Sequence, residues 1–225
     1  MWDLLLHPWP LCLEQAWKAY CAGDPFVGAV VTDPAGEVVS HGGGHRLDNG
    51  CLSIATPGMD GVARPLAGHP LAHAELQALL SFDYAQIDPR TCALYTTLEP
   101  CPLCAGALVM SNVRHLHYAC RDPWAGSVGL LRSTPFIRMQ GIQVSGPHDG
   151  ALQEVLTAVN VEHCLRGGRP RRHIDAWTAV SKRAVEAGVA LLRSGRLQEL
   201  RRASAPTAEV IDEIAALIRQ MPNIW

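Results

Sequence analysis

The chain has no apolar run of about 18 residues, so it carries no sign of a membrane-spanning helix. Its opening stretch, Met1 to Pro10, has no basic cluster ahead of the apolar residues. It places Asp3 early and is broken by Pro8 and Pro10, so it does not read as a signal peptide. Nor does the sequence contain a repeat at fixed period or a low-complexity tract, which sets aside solenoids and flexible linkers. Closely spaced cysteines are scarce. Of eight, only Cys101 and Cys104 are near neighbours, so a disulfide framework is not expected and reduced thiol or metal chemistry in the cytoplasm is.

What is present is an ordinary globular composition, 48% hydrophobic and 18% charged over 225 residues. The net charge of −2 is unevenly spread. Residues 1–159 hold 8 Lys+Arg against 14 Asp+Glu, and residues 160–205 hold 10 against 4. An acidic front part argues against a large polyanion there. The basic stretch with Arg166, Arg169, Arg171 and Arg172 reads as a solvated or subunit-contacting helix face, or as a nucleic-acid contact.

Helical spacing marks Leu11 to Ala22, with Gly23 behind it. Phe26 to Thr32 and Glu37 to His41 read as strands joined by the turn Asp33-Pro34-Ala35-Gly36. Asn49 to Pro70 has no period and is expected to be a long loop beside the site. Then come a helix over Leu71 to Leu80, a buried strand over Cys92 to Thr97, a helix over Pro102 to Met110 and a strand over Val113 to Cys120. This order predicts an α/β fold with a mixed sheet covered by helices over residues 1–149. Residues 150–225 are expected to form a helical C-terminal extension, with helices over Ala151 to Leu165, Ile174 to Leu192 and Ala208 to Arg219.

Two short segments carry chemistry. His73-Ala74-Glu75 opens one predicted helix, and Pro100-Cys101-Pro102-Leu103-Cys104 opens another. A catalytic Zn²⁺ takes three protein ligands and leaves a fourth position for water. One His and two Cys supply three, and helix N-termini favour the thiolate form of the cysteines. Glu75 is not needed as a ligand. A carboxylate two residues from His73 is placed to move protons instead. A structural zinc site would close its shell, and His69, His115 or His117 could in principle do so, although His115 and His117 alternate along a strand.

The pattern His-x-Glu with Pro-Cys-x-x-Cys is that of the zinc deaminases. With Val27-Gly28-Ala29-Val30-Val31, Leu94-Tyr95-Thr96-Thr97-Leu98-Glu99 and Cys120-Arg121-Asp122, the chain resembles the cytidine and deoxycytidylate deaminase superfamily over Leu11 to Leu131. Within it the chain looks most like the branch holding tRNA adenosine deaminases and guanine deaminases.

The resemblance implies a three-layer α/β/α fold with five strands, the fifth expected at Ile142 to Ser145, one zinc ion and a homodimer. It implies His73, Cys101 and Cys104 as ligands and Glu75 as proton shuttle. Phe26, His45, Ala74, Asp122 and Trp124 are then expected at the substrate, with core packing open for Phe26 and a capping role open for Asp122. His45 stands where relatives place a base-contacting Asn, and Asn49 is an alternative. The paired Cys-Cys of the riboflavin-pathway deaminase and the third cysteine ligand of small cytidine deaminases are absent. The expected reaction is hydrolytic removal of an exocyclic amino group from a base, nucleoside or base analogue, guanine-like first. The alternatives are adenosine deamination in tRNA and an inactive zinc-stabilised interaction module.

Overall fold

A computed structural model describes residues 1–44, 56–57, 63–64, 69–148 and 150–221. A first helix, α1 (Trp9–Ala22), ends at Gly23, whose φ of 99° closes the helix in a conformation that favours glycine. The hairpin of β1 (Ala29–Thr32) and β2 (Val38–Gly42) follows, its turn tied by Asp33 Oδ1, which accepts from the N–H groups of Ala35 and Glu37.

In place of a structureless stretch between residues 49 and 70, two-residue strands β3 (Thr56–Pro57) and β4 (Ala63–Arg64) pair antiparallel. The remainder of that stretch up to residue 68 lies outside the described residues. Next come α2 (Ala74–Leu80), β5 (Ala93–Leu98), α3 (Pro102–Ser111), β6 (His115–Cys120), α4 (Pro135–Met139) and β7 (Gln143–Ser145).

The main sheet has the order β2-β1-β5-β6-β7. β1 runs antiparallel to both β2 and β5, whereas β5, β6 and β7 are mutually parallel. The fifth strand therefore falls where the sequence placed it. Alternation along β1 sorts the two faces. Ala29 and Val31 pack with Ala78 of α2 and Leu108 of α3, and Val30 packs with α1. With helices on both faces, every residue of β1 is buried, as is usual for a central strand of a three-layer α/β/α fold.

The C-terminal helices are α5 (Ala151–Arg166), α6 (Arg171–Val180), α7 (Lys182–Ser194), α8 (Arg196–Arg202) and α9 (Thr207–Gln220). α5 lies between the sheet and the outer helices, with Val155, Leu156, Ala158, Val159 and Val161 wholly buried. Gly188 of α7 allows that packing, because a Cβ there would sit 2.6 Å from the Ala158 carbonyl oxygen. The same cluster joins Trp17, Tyr20 and Phe26 to Leu156, Val185, Leu197 and Ile214, so one hydrophobic core crosses the 149/150 boundary.

The helix expected over Ile174 to Leu192 is in fact two. Ser181 is extended (φ −153°, ψ 103°), and its hydroxyl accepts from the Ala184 N–H, capping α7. Among the described residues no helix is long and apolar enough to cross a membrane, and the seven described cysteines are all free.

Candidate active site

Two helix N-termini meet at the C-terminal end of β5. His73 is the extended residue preceding α2 (φ −67°, ψ 156°), which is why that helix starts at Ala74 and not at Leu71. Cys101 occupies the equivalent place before α3, where Pro102 opens the helix and sets its φ in advance. Cys104 follows in the first turn of α3.

The cluster has the dimensions of a tetrahedral zinc site. With Zn–S near 2.3 Å and Zn–N near 2.0–2.1 Å, tetrahedral edges come to about 3.8 Å between sulfurs and about 3.6 Å between sulfur and nitrogen. Here Cys101 Sγ and Cys104 Sγ are 3.7 Å apart, and His73 Nδ1 lies 3.5 Å from Cys101 Sγ and 3.4 Å from Cys104 Sγ. The three residues therefore fit zinc as they stand. They form the one such ligand group among the described residues, and no fourth side chain there joins it. His117 stacks on the Tyr95 ring, with centroids 4.3 Å apart, and takes a sheet-face role instead.

The electrostatics suit a cation. Cys101 is pulled down to about 4, first by its hydrogen bond with Cys104 and then by His73. Cys104 is pushed up by that same hydrogen bond, by burial and by Glu75. His73 is raised mainly by its hydrogen bond to Cys101. A divalent cation bound here would hold both sulfurs as thiolates and displace any proton they carry.

Glu75 is 4% exposed. Its Oε1 is 3.2 Å from the Thr96 hydroxyl, which also lies 3.2 Å from the Leu98 carbonyl oxygen, and its Oε2 is 3.4 Å from Cys104 Sγ. Burial raises its pKa above the ordinary carboxylate value. A carboxyl so raised is a stronger base toward water than an exposed one.

A cavity of about 450 Å³ opens over these groups, within the usual range for small-molecule sites. Besides His73, Glu75 and Cys101, its walls include Ala74, Glu99, Asp122 and Arg169.

Phe26 is not at the cavity. It is wholly buried beside Trp17 and Tyr20, whereas its neighbours Pro25 and Val27 line the wall, because the chain turns at Phe26, where the Val27 N–H bonds the Pro25 carbonyl oxygen at 2.8 Å. Asp122 lines the cavity and also caps a turn, its Oδ1 accepting from the N–H groups of Trp124 (2.9 Å) and Ala125 (3.0 Å). Trp124 stands outside the cavity wall, half exposed, against His173 and Arg172. His45 and Asn49 lie outside the described residues.

The sequence reading missed Thr96, Glu99 and Arg169. Thr96 and Thr97 are a polar pair inside an otherwise buried strand, and that was the available signal for Thr96. Glu99 is a buried anchor whose two oxygens accept from the Asp122 and Val128 N–H groups at 3.3 and 3.4 Å. Gly126 lies so close that a Cβ would sit 2.4 Å from the Glu99 carboxyl carbon. Arg169 stands 68 residues beyond Cys101, and no local pattern points to it.

The family described as the cytidine and deoxycytidylate deaminase zinc-binding region matches residues 9–120. The chain is similar to the tRNA-specific adenosine deaminase of Bacillus subtilis, 40% identical over 123 residues, which cover 53% of this chain and 63% of that protein. It is also similar to the tRNA-specific adenosine deaminase of Haemophilus influenzae, 33% identical over 122 residues, or 52% of this chain and 58% of that one. Among solved structures it resembles the guanine deaminase from Nitrosomonas europaea, with a TM-score of 0.47 at 21% identity over 71% of this chain and 85% of that one. The chain spans about three-fifths of the length of these two curated relatives.

Proposed function

Because the chain belongs, through residues 9–120, to the cytidine and deoxycytidylate deaminase zinc-binding family, we propose that it is a zinc-dependent hydrolytic deaminase of a nucleobase-type ring. The observation that carries this is the tetrahedrally spaced His73, Cys101 and Cys104 set with a buried carboxyl, Glu75, beside it. When bound, zinc supplies the Lewis acidity that makes water nucleophilic near neutral pH. The chain's own residues do the rest. Glu75, oriented by the Thr96 hydroxyl, takes a proton from water in the cavity and delivers it to a ring nitrogen. It then takes the second proton, from the hydroxyl now on the ring carbon, and passes it to the departing amine, so that ring amine and water become ring carbonyl and ammonia.

The substrate in this reading is a small base, nucleoside or base analogue, with a guanine-like ring first, handled in the cytoplasm. The acidic charge balance of residues 1–159 supports a small substrate over a polyanion. The basic balance of residues 160–205 favours a second reading, adenosine in tRNA. An inactive zinc-stabilised module gives no reason to bury a carboxyl beside the ligand set, which costs free energy unless used.

A homodimer completes the proposal. Met110, Leu130 and Phe136 expose apolar surface around an apolar groove between α3 and α4.

Ammonia release by the zinc-loaded chain tests the activity, with guanine, adenine, cytosine, their nucleosides and an anticodon-arm RNA as substrates. The Glu75→Gln protein is the blank. Turnover of one ring by the parent alone is expected, and silence across the panel would count against the activity.

A further inference from the structure

The C-terminal helices do more than complete the core, because one of their turns reaches the cavity. After α5 the chain reverses through Gly167 and Gly168, the latter at φ +66°. The Arg169 N–H then bonds the Cys164 carbonyl oxygen at 2.9 Å, and Pro170 opens α6. The backbone of Arg169 is thereby fixed, and this exposed residue forms part of the cavity wall.

Other arginines of this half hold carboxylates: Arg166 binds Glu162 at 3.1 Å, and Arg196 binds Glu213 at 2.6 and 2.9 Å. The Arg169 guanidinium has no hydrogen-bond or ion-pair partner among the described residues. The acids in the same wall are engaged by backbone donors, Glu99 by Asp122 and Val128, and Asp122 by Trp124 and Ala125. A second cation of the same helix start lies outside the cavity wall. Arg172 lies 5.5 Å from the centre of the Trp124 ring, and His173 packs edge-on to that ring at 4.0 Å.

We propose that Arg169 is a specificity-determining residue that takes a phosphate group attached to the ring being deaminated. This rests on the deaminase reading but moves its substrate from the free base or nucleoside to a phosphate-bearing form. A neutral free base offers a guanidinium only neutral acceptors. A phosphate offers paired charged oxygens that match its planar fork. The phosphate belongs either to a nucleoside monophosphate or to the backbone of an RNA.

The test uses zinc-loaded full-length Glu75→Gln protein, in which binding is read without turnover, by calorimetric titration. The titrants are guanosine, adenosine and cytidine, their 5′-monophosphates, and an anticodon-arm RNA. At least one monophosphate, or the RNA, is expected to bind tenfold or more tightly than its nucleoside, a gap of about 1.4 kcal/mol. Adding Arg169→Gln should erase that gap while leaving nucleoside affinity within twofold, and Arg169→Lys should keep part of it. A monophosphate-only gap identifies a nucleotide. A gap found only with RNA, collapsing between low and moderate salt, identifies RNA.

The proposal is overturned if phosphate confers no gain on any titrant, or if Arg169→Gln weakens nucleoside and phosphate forms alike, as a structural role would. A gap that depends on Arg169, together with no ammonia from the zinc-loaded parent, would instead sink the deaminase reading and leave the phosphate site standing.

Discussion

Gly42 touches neither the ligand set nor Glu75, yet its substitution should disable both. It is the last residue of β2, and α2 lies directly on it. A Cβ there would sit 2.1 Å from the Ala74 carbonyl oxygen and 2.8 Å from the Ala78 nitrogen. Ordinary contact begins at 3.4 Å, so Gly42→Ala must move α2 by roughly 1.3 Å, and the obstacle is helix backbone, which cannot rotate away. Ala74 stands between His73 and Glu75, so both ride on that displacement.

Metal sites tolerate shifts of about 0.2 Å in ligand distance, and misplacing a catalytic group by about 1 Å costs about 100-fold in rate. Overpacking of this kind destabilises by about 3 kcal/mol, which lowers Tm by about 6–12 °C in a chain of this length. The assay is zinc affinity by competition with a chromophoric chelator, alongside Tm and turnover. Gly129→Ala, where a new methyl meets nothing within 4 Å, is the matched control. If Gly42→Ala binds zinc and melts like the parent, the argument that close β2–α2 packing positions the site is wrong.

The ligand set and the buried titrating groups give further expectations. Glu75→Gln should retain zinc at one per chain and lose about 100- to 10,000-fold in turnover, and activity above a tenth of the parent's would remove Glu75 from the proton path. Cys104→Ser should weaken zinc by more than 100-fold, since losing even an outer-shell partner costs about 10- to 100-fold, and unchanged occupancy would break the ligand assignment. His41 and His117 are both held below their ordinary value of 6.5 by burial, so the unfolded chain takes up protons first as pH falls. Stability from these groups is present above pH 6.5 and lost below it. Tm should fall from pH 7 to pH 5, and His117→Phe, which keeps a ring against Tyr95, should flatten the slope measured by calorimetry.

How far the sequence carried depends on where each interaction partner lies along the chain. His73 and Glu75 are one residue apart from a shared neighbour, and Cys101 and Cys104 share one helical turn, so the ligand geometry is nearly local once two helix starts are recognised. The four longer strands of the main sheet were legible because β-branched runs between turn residues dictate them, whereas the short edge strand β7 was expected from the family resemblance and not from its own pattern. The break at Ser181 was hidden because apolar spacing continues across it, and only the cap bond to Ala184 reveals the interruption. Phe26 belongs to the core because Trp17, Tyr20 and the far C-terminal helices surround it, which is tertiary information. Arg169 reaches the cavity through the turn between α5 and α6, and its composition alone suggested only a solvated face.

The central claim is that this chain replaces a ring amine with an oxygen from water, using zinc and Glu75. The most direct measurement is ammonia release together with product mass in ¹⁸O-labelled water, run on the zinc-loaded parent and on Glu75→Gln across bases, nucleosides, monophosphates and the anticodon-arm RNA. The account predicts one ammonia and one labelled oxygen per turnover for the parent, and neither for Glu75→Gln. Ammonia without solvent oxygen, or no ammonia from any ring by zinc-loaded parent, would contradict it.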